Sequence, residues 1–308
     1  MSTQCIIALC FQDCNCRFYQ FQPQFVGIYI IYPKIPAQKG EKQQKTDLFL
    51  RADVLQTEGE YVKINKKEKL GDYEMDDRIK KIRKEEARSH RELYEKGALY
   101  AGESWLKKPV ATVMELLGHF DDREQVRILD LGCGVGRNAI ALALQLGERC
   151  RVDCVDLLEV AIEKLSENAK AYGVEDRIRG VVSPIENFPI YIEAYDLIFA
   201  VSALEHIDGE ESLKSKLLEI KEGINADGLV CFIMNSGVEE RNKATGEGIP
   251  AGFEVNLPTE KLAELLHHTF AGWEVLKETV VPQRYEIPRG EIASLLSTKV
   301  FTFVAKKV

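Results

Sequence analysis

A chain of 308 residues has room for one large domain or two ordinary ones with a buried core. Its hydrophobic share of 45% and charged share of 29% are those of a globular protein, and a net charge of -8 with a pI near 5.4 argues against a general grip on nucleic-acid phosphate. No apolar run approaches the roughly 20 residues of a membrane span, and no basic residue precedes the short Cys5 to Phe11 stretch as a secretory leader requires. The expected setting is the cytoplasm, with no membrane and no nucleic acid as partner.

Residues 1–74 differ in composition from the rest of the chain, being rich first in Gln, Cys and aromatics and then in Lys and Glu. They read as an atypical, poorly ordered extension, or as sequence upstream of a true start at Met75. Cys5, Cys10, Cys14 and Cys16 crowd this part, but only Cys14 and Cys16 are closely spaced and no His cluster accompanies them. No metal is expected. The next part, residues 75–125, is expected to form helices that cap the active site. Its first half, Asp76 to Lys96, is dense in Lys, Arg and Glu with Ile79, Ile82, Leu93 and Tyr94 interspersed, which predicts a helix with a solvated face. Ser104 is placed to cap a second helix from Trp105, with Val110, Val113, Met114 and Leu117 on its apolar side.

From Val126 to the end at 308, short apolar strands alternate with amphipathic helices. Strands are predicted at 126–131, 150–155, 178–182, 195–201 and 229–235, with helices near 137–146, 158–172 and 211–223. Ser236 to Asn256 reads as a long binding loop or lid. Pro258 and Thr259 open a further helix to about Phe270, and Trp273 to Val281 can pair with Ser294 to Ala305 as an antiparallel hairpin. The expected fold is α/β: a Rossmann-like, doubly wound, mostly parallel seven-stranded sheet with that hairpin at its C-terminal end and a helical cap at its N-terminal end.

The chemistry gathers at strand ends. Leu129-Asp130-Leu131-Gly132-Cys133-Gly134-Val135-Gly136 is a strand running into a glycine turn, where a ligand can lie against backbone beside a helix N-terminus. A nicotinamide fingerprint needs its third glycine where Arg137 stands, which counts against an oxidoreductase. Asp130 offers a carboxylate to a cationic amino group, or simply ends the strand. Asp156 closes the second strand about twenty residues past the turn, where an acidic residue accepts both hydroxyls of a ribose. Glu205 and His206 come directly after the fourth strand; His206 is read as a general base or as a residue fixing its loop. Tyr94, Tyr100 and Trp105 are candidates to line a substrate pocket, as is Glu254 from the long loop, with core packing or solvation as the alternative for each.

LDLGCGVGRN, then VDCVD, SPIENF and YDLIFAVSALEHI, resemble the class I S-adenosylmethionine-dependent methyltransferase family over residues 109–308, nearest its small-molecule, tellurite-resistance-type branch. The resemblance implies S-adenosylmethionine as cofactor and a small-molecule methyl acceptor. It further implies that Gly132, Cys133, Gly134 and Gly136 line the methionine and ribose portion, that Asp156 holds the ribose, and that Leu157 packs on adenine. Ile185 offers backbone to the ring edge. Pro184 stands where many members carry an Asp, so Glu186 takes over the adenine bond or it is lost. Ala200 and Val201 present carbonyl groups to the cofactor's amino group. The alternatives to an enzyme of this kind are an NAD(P)-dependent oxidoreductase and a non-catalytic S-adenosylmethionine-binding module.

Overall fold

The computed structural model describes residues 56–57, 60–61, 77–101, 105–289 and 292–308. The chain divides into two units, Met1–Tyr73 and Glu74–Val308. In the first, β1 (Gln56–Thr57) pairs antiparallel with β2 (Glu60–Tyr61). The four N-terminal cysteines, Met75, Ser104 and the side chain of Leu93 lie outside the described residues.

The second unit is built on one sheet. Its parallel part orders β5 (Ile178–Val182), β4 (Cys150–Asp156), β3 (Val126–Leu131), β6 (Tyr195–Val201) and β7 (Ile224–Asn242) side by side. Beyond β7 come β10 (Ile292–Lys306) and β9 (Glu274–Arg289), both antiparallel, and a short β8 (Gly248–Ile249) pairs with β7 off the main path. Seven strands in line with one appended make an eight-stranded, mixed sheet, and the expected fold class holds.

Continuous apolar runs make these strands because both faces of the sheet are covered. Successive side chains alternate between two cores. Ile128, Val152, Cys154, Leu197 and Phe199 join the core under α3 (Ala139–Leu146) and α4 (Glu159–Ala171). Leu129, Leu131, Val155, Ile198 and Ala200 join the core under α5 (Glu210–Gly223) and α6 (Thr259–Thr269). The crossovers therefore deliver every loop after β3, β4 and β6 to one carboxyl edge of the sheet, where a ligand site belongs.

Two segments depart from the sequence reading. The helix expected from Trp105 is broken into a 3-10 turn at Trp105–Lys107, α2 (Ala111–Glu115) and a second 3-10 turn at Leu116–Phe120. Pro109 supplies the break, since it has no N–H to continue a helix; Asn138 then accepts from the Val110 N–H at 3.0 Å. The long loop is shorter than expected, because Ser236–Asn242 continues β7 against β10, with Ser294 facing Asn242. The hairpin strands are correspondingly longer than their apolar cores. α1 (Asp77–Lys96) is the expected helix with a solvated face: Lys80, Lys81, Lys84, Glu85 and Arg88 are exposed, whereas Ile79, Ile82 and Tyr94 are buried and Arg83, Glu86 and His90 are half-buried on the same side. Among the described residues, no helix is long and apolar enough to cross a membrane.

Candidate functional site

The glycine turn after β3 is held by its neighbour strand. The N–H groups of Gly132 and Cys133 both donate to the Val155 carbonyl, at 2.8 and 3.0 Å. At Gly132, φ is +78°, and a Cβ would lie 2.2 Å from that of Ala203, so the turns after β3 and β6 interlock only because one carries glycine. Gly134, at φ +53°, lies under α1: a Cβ there would meet the Tyr94 hydroxyl at 3.0 Å. Gly136 instead makes room for Leu165 of α4. Cys133 is buried in the turn, and burial pushes its thiol well up, which leaves it an inert core side chain.

Two carboxylates frame this turn. Asp156, at the end of β4, accepts from the Gly134 N–H through Oδ2 and from the Leu158 N–H through Oδ1, both at 2.9 Å. Burial raises its carboxyl, and those backbone donors oppose the rise. Each oxygen keeps a lone pair for a further donor. Asp130, 1% exposed, has an Oδ2 that accepts no hydrogen bond. Burial pushes this carboxyl well above the usual range, the Asp156 charge adds to that, and Arg137 opposes it. Arg137 lies over the Trp105 ring at 4.8 Å and donates to the Trp105 carbonyl at 2.9 Å, while Trp105 meets Tyr94 edge-on.

A second group of side chains lies across the same sheet edge. The chain leaves β6 through Ser202, a non-glycine residue at φ +50°, and turns at Leu204–His206. Glu205 is 1% exposed; its Oε1 takes the backbone and side-chain N–H groups of Asn235 at 2.9 and 2.7 Å, and its Oε2 takes none. His206 sits between two carboxylates, with Nε2 3.2 Å from Glu86 of α1 and Nδ1 2.9 Å from Glu254. Its ring stacks on Phe253 at 5.1 Å. Burial alone would lower the imidazole, but the bond to Glu254 and the charges of Glu86 and Glu205 lift it to about 9. Burial also lifts Glu86, against the pull of His206 and with the push of Glu254, Glu205 and Asp156, to about 7.

α1 is latched over this edge by charge. Arg78 donates to the Phe253 carbonyl at 2.6 Å, and Arg83 reaches Glu186 at 2.7 Å and Glu254 at 3.5 Å. The sequence-derived candidates thus fall into distinct places. Asp130, Gly132, Gly134 and Asp156 converge on the glycine turn, with Ile185 buried close to Gly132 and Leu157, 37% exposed, just past Asp156. Ala200 and Val201 end β6 beside them. Tyr94 and Trp105 close over the turn, and His206 meets Glu254. Two candidates face elsewhere: Tyr100 packs edge-on against Tyr172 and donates to the Arg137 carbonyl at 2.7 Å, and Glu186 is engaged by Arg83. Sequence reasoning misses Arg83 and Glu86. Their signal is the spacing Ile79, Ile82 or Arg83, Glu86, His90, Tyr94, in which polar residues continue the helical stripe that the apolar ones begin.

Residues 128–228, from β3 to the middle of the sheet, match the family model described as a methyltransferase domain. The chain is 34% identical over 95 residues to a glycine/sarcosine/dimethylglycine N-methyltransferase of Actinopolyspora halophila, covering 31% of this chain and 16% of that protein. It is 24% identical to a sterol 24-C-methyltransferase of Clavispora lusitaniae over 53% of this chain and 45% of that one. A ubiquinone biosynthesis O-methyltransferase of Rickettsia felis is 29% identical, over 44% and 51% respectively. The matches thus span from about a sixth to about half of these relatives' own lengths. Among solved structures, TehB from Haemophilus influenzae aligns over 63% of this chain and 62% of its own at 22% identity, with a TM-score of 0.47.

Proposed function

From the premise that residues 128–228 are a methyltransferase domain, we propose that the chain binds S-adenosylmethionine at the carboxyl edge of its sheet and transfers the methyl group to a small-molecule acceptor, releasing S-adenosylhomocysteine. The observation that carries this reading is the pairing of Asp156 with the Gly134 N–H beside a buried Asp130 whose Oδ2 accepts no hydrogen bond. A ribose hydroxyl pair suits the spare lone pairs of Asp156, and an α-ammonium group suits Asp130, whose charge is otherwise costly to bury. The residues present fit the cofactor.

Bound there, the cofactor supplies an electrophilic sulfonium methyl group. The chain's own part is to orient and to exclude water, which is most of what an in-line displacement requires. Gly132 and Gly134 let the ligand approach backbone, and Leu157 gives an apolar surface for the adenine. Tyr94 and Trp105 cover the turn from α1 and the segment after it. On the acceptor side stand His206, Glu86, Glu254 and the Phe253 ring. We assign His206 to holding α1 and the 250s segment together rather than to general-base work, because an imidazole lifted to about 9 keeps its proton at neutral pH. Relatives named for N-, C- and O-methylation leave the accepting atom to experiment.

The test is calorimetry of the full chain with S-adenosylhomocysteine and, separately, with NAD, followed by assay of S-adenosylhomocysteine release over a panel of amines, phenols and carboxylic acids. Binding of S-adenosylhomocysteine with turnover of a panel member is the expected result. Binding of NAD without S-adenosylhomocysteine overturns the reading, and binding with no turnover on a broad panel favours a non-catalytic module.

A further inference from the structure

We propose that Arg137 holds the α-carboxylate of the methyl donor, opposite Asp130 at its α-ammonium group, and so makes the site selective for a donor with an intact amino-acid tail over its decarboxylated form. The inference rests on the reading that S-adenosylmethionine lies against the glycine turn, and it deepens that reading. In the sequence, Arg137 stood out only as the residue that breaks a nicotinamide fingerprint, with no role of its own.

The geometry has three parts. Arg137 follows Gly136 directly, between the glycine turn and α3, and is half-buried with its guanidinium over the Trp105 ring at 4.8 Å. That ring in turn reaches to 3.9 Å from where a Gly134 Cβ would lie, so the stack sets the charge beside the glycine turn. Second, Nη1 is engaged by the Trp105 carbonyl at 2.9 Å, whereas Nε is enclosed and meets no acceptor. The edge of a guanidinium that carries Nε is one of those that take a carboxylate as a fork. Third, Asp130 is the counterpart of opposite sign: 1% exposed, with an Oδ2 that accepts no hydrogen bond. The two charges act on each other, since Arg137 opposes the rise of the Asp130 carboxyl and Asp130 opposes the fall that burial imposes on the guanidinium, yet they form no ion pair. A buried donor and a buried acceptor left unmade are both costly unless a ligand serves them.

An α-amino acid answers this arrangement. Its ammonium and carboxylate sit on one carbon, so they call for an acid and a base near enough to share a ligand and far enough apart not to pair with each other. A carboxylic acid without the amine serves Arg137 and leaves Asp130 bare; an amine without the carboxylate does the reverse. Tyr94 and Tyr100, whose charges would act on the guanidinium, offer no rival anion, because burial pushes both phenols up and keeps them protonated. A donor stripped of its carboxylate therefore keeps the bond to Asp130 and loses the fork on Arg137.

The test is calorimetry of the full-length protein with S-adenosylhomocysteine, with its decarboxylated analogue, which keeps the amine, and with methylthioadenosine, which lacks the whole amino-acid tail. Wild type is expected to bind the decarboxylated compound ~10- to 150-fold more weakly than S-adenosylhomocysteine, the loss of one charge-assisted bond. Arg137→Met keeps a long stem over Trp105; it is expected to weaken S-adenosylhomocysteine by a similar factor while methylthioadenosine is unchanged and the decarboxylated compound binds no less tightly. Arg137→Lys should recover part of the loss, since it restores the charge without the fork. Asp130→Asn, by contrast, should weaken the decarboxylated compound too, because it removes the partner of the amine. Equal affinity of wild type for S-adenosylhomocysteine and its decarboxylated analogue overturns the proposal. So does a loss in Arg137→Met that all of the probes share, which would assign Arg137 to holding Trp105 in place. The wild-type comparison needs no variant and decides if Arg137→Met does not fold. Failure of wild type to bind S-adenosylhomocysteine at all sinks the methyl-transfer reading, whereas binding that does not depend on Arg137 sinks only this inference.

Discussion

Replacing Asp130 by Asn separates what the buried carboxylate costs the fold from what it does for the cofactor. The side chain is 1% exposed at the end of β3, between Leu129 and Leu131, which are wholly buried, and its Oδ2 accepts no hydrogen bond. A buried acceptor left unmade costs ~1–3 kcal/mol, more when charged. Asn has the same shape and no charge, so the ligand-free variant is expected to gain roughly that amount at pH 8, a rise in Tm of roughly 2–10 °C for a unit of this size. The sign with pH comes from the raised carboxyl. A carboxyl whose folded pKa exceeds its unfolded value carries no penalty below the unfolded value, and the penalty grows as pH rises through the folded one. Thermal melts from pH 5 to 9 should therefore show the variant's advantage shrinking toward acid. Calorimetry should show the opposite effect on the ligand: loss of a charge-assisted bond worth ~1.5–3 kcal/mol weakens S-adenosylhomocysteine roughly 10- to 150-fold. A variant that is less stable than wild type at pH 8, or that binds as tightly, refutes the placement of Asp130 under the cofactor's ammonium group.

Substitutions at four further positions test other joints of the structure. Gly132→Ala forces a Cβ to 2.2 Å from that of Ala203 at φ +78°, so urea denaturation should show a loss of ~2–5 kcal/mol. Gly147→Ala, at φ +63° with open space around it, should lose only ~1–2 kcal/mol, and equal losses would mean that the interlocked turns are not the cause. Asp156→Ala removes the acceptor of the Gly134 and Leu158 N–H groups and should weaken S-adenosylhomocysteine by ~10-fold or more in calorimetry, with Asp156→Asn in between; unchanged affinity rejects it as the ribose ligand. Asp196→Ala, remote from the site, strips the partner of Arg123, the Arg127 N–H and Asn225, and should cost ~3–5 kcal/mol in urea while leaving ligand affinity intact at low temperature.

The parallel half of the fold was legible because its central strands are covered on both faces and so are mostly apolar, as in Tyr195–Val201, and the edge strand Ile178–Val182 keeps a short apolar run although it is part-exposed. Ile178–Val182 and Tyr195–Val201 fall at the predicted positions, and β4 gains only Asp156. The same reasoning explains the main miss. Ser236–Asn242 is polar, so it reads as loop, but it is a strand whose inward positions are Ser236, Val238 and Glu240. The fold satisfies those polar groups with partners far away in sequence: Ser236 bonds to Thr259 and to the Lys299 carbonyl, and Glu240 accepts from Ser294. A pattern based on hydrophobicity does not register a strand held by hydrogen-bonded side chains from elsewhere. In α1 the helix, its solvated face and the buried Ile79, Ile82 and Tyr94 were legible, but not that Arg83 and Glu86 extend the buried stripe because Glu186, His206 and Glu254 wait opposite them.

These misses share a physical origin with the division inside the site. The cofactor side is made mostly by backbone: turns that need a missing Cβ, N–H groups aimed at one carboxylate, a strand end of fixed register. Such requirements act on residues close together in sequence, so Gly132, Gly134 and Asp156 declare themselves. The proposed acceptor side is made by side chains from α1, the turn after β6 and the segment before α6, which touch only once the chain is folded. No local spacing links Glu86 to Glu254, and each alone is an ordinary surface acid. A site assembled in this way can change its chemistry by exchanging one or two side chains while the glycine turn stays as it is. On the proposed reading the sheet edge fixes where the methyl donor would lie, and the charged contacts that latch α1 over it would select the acceptor.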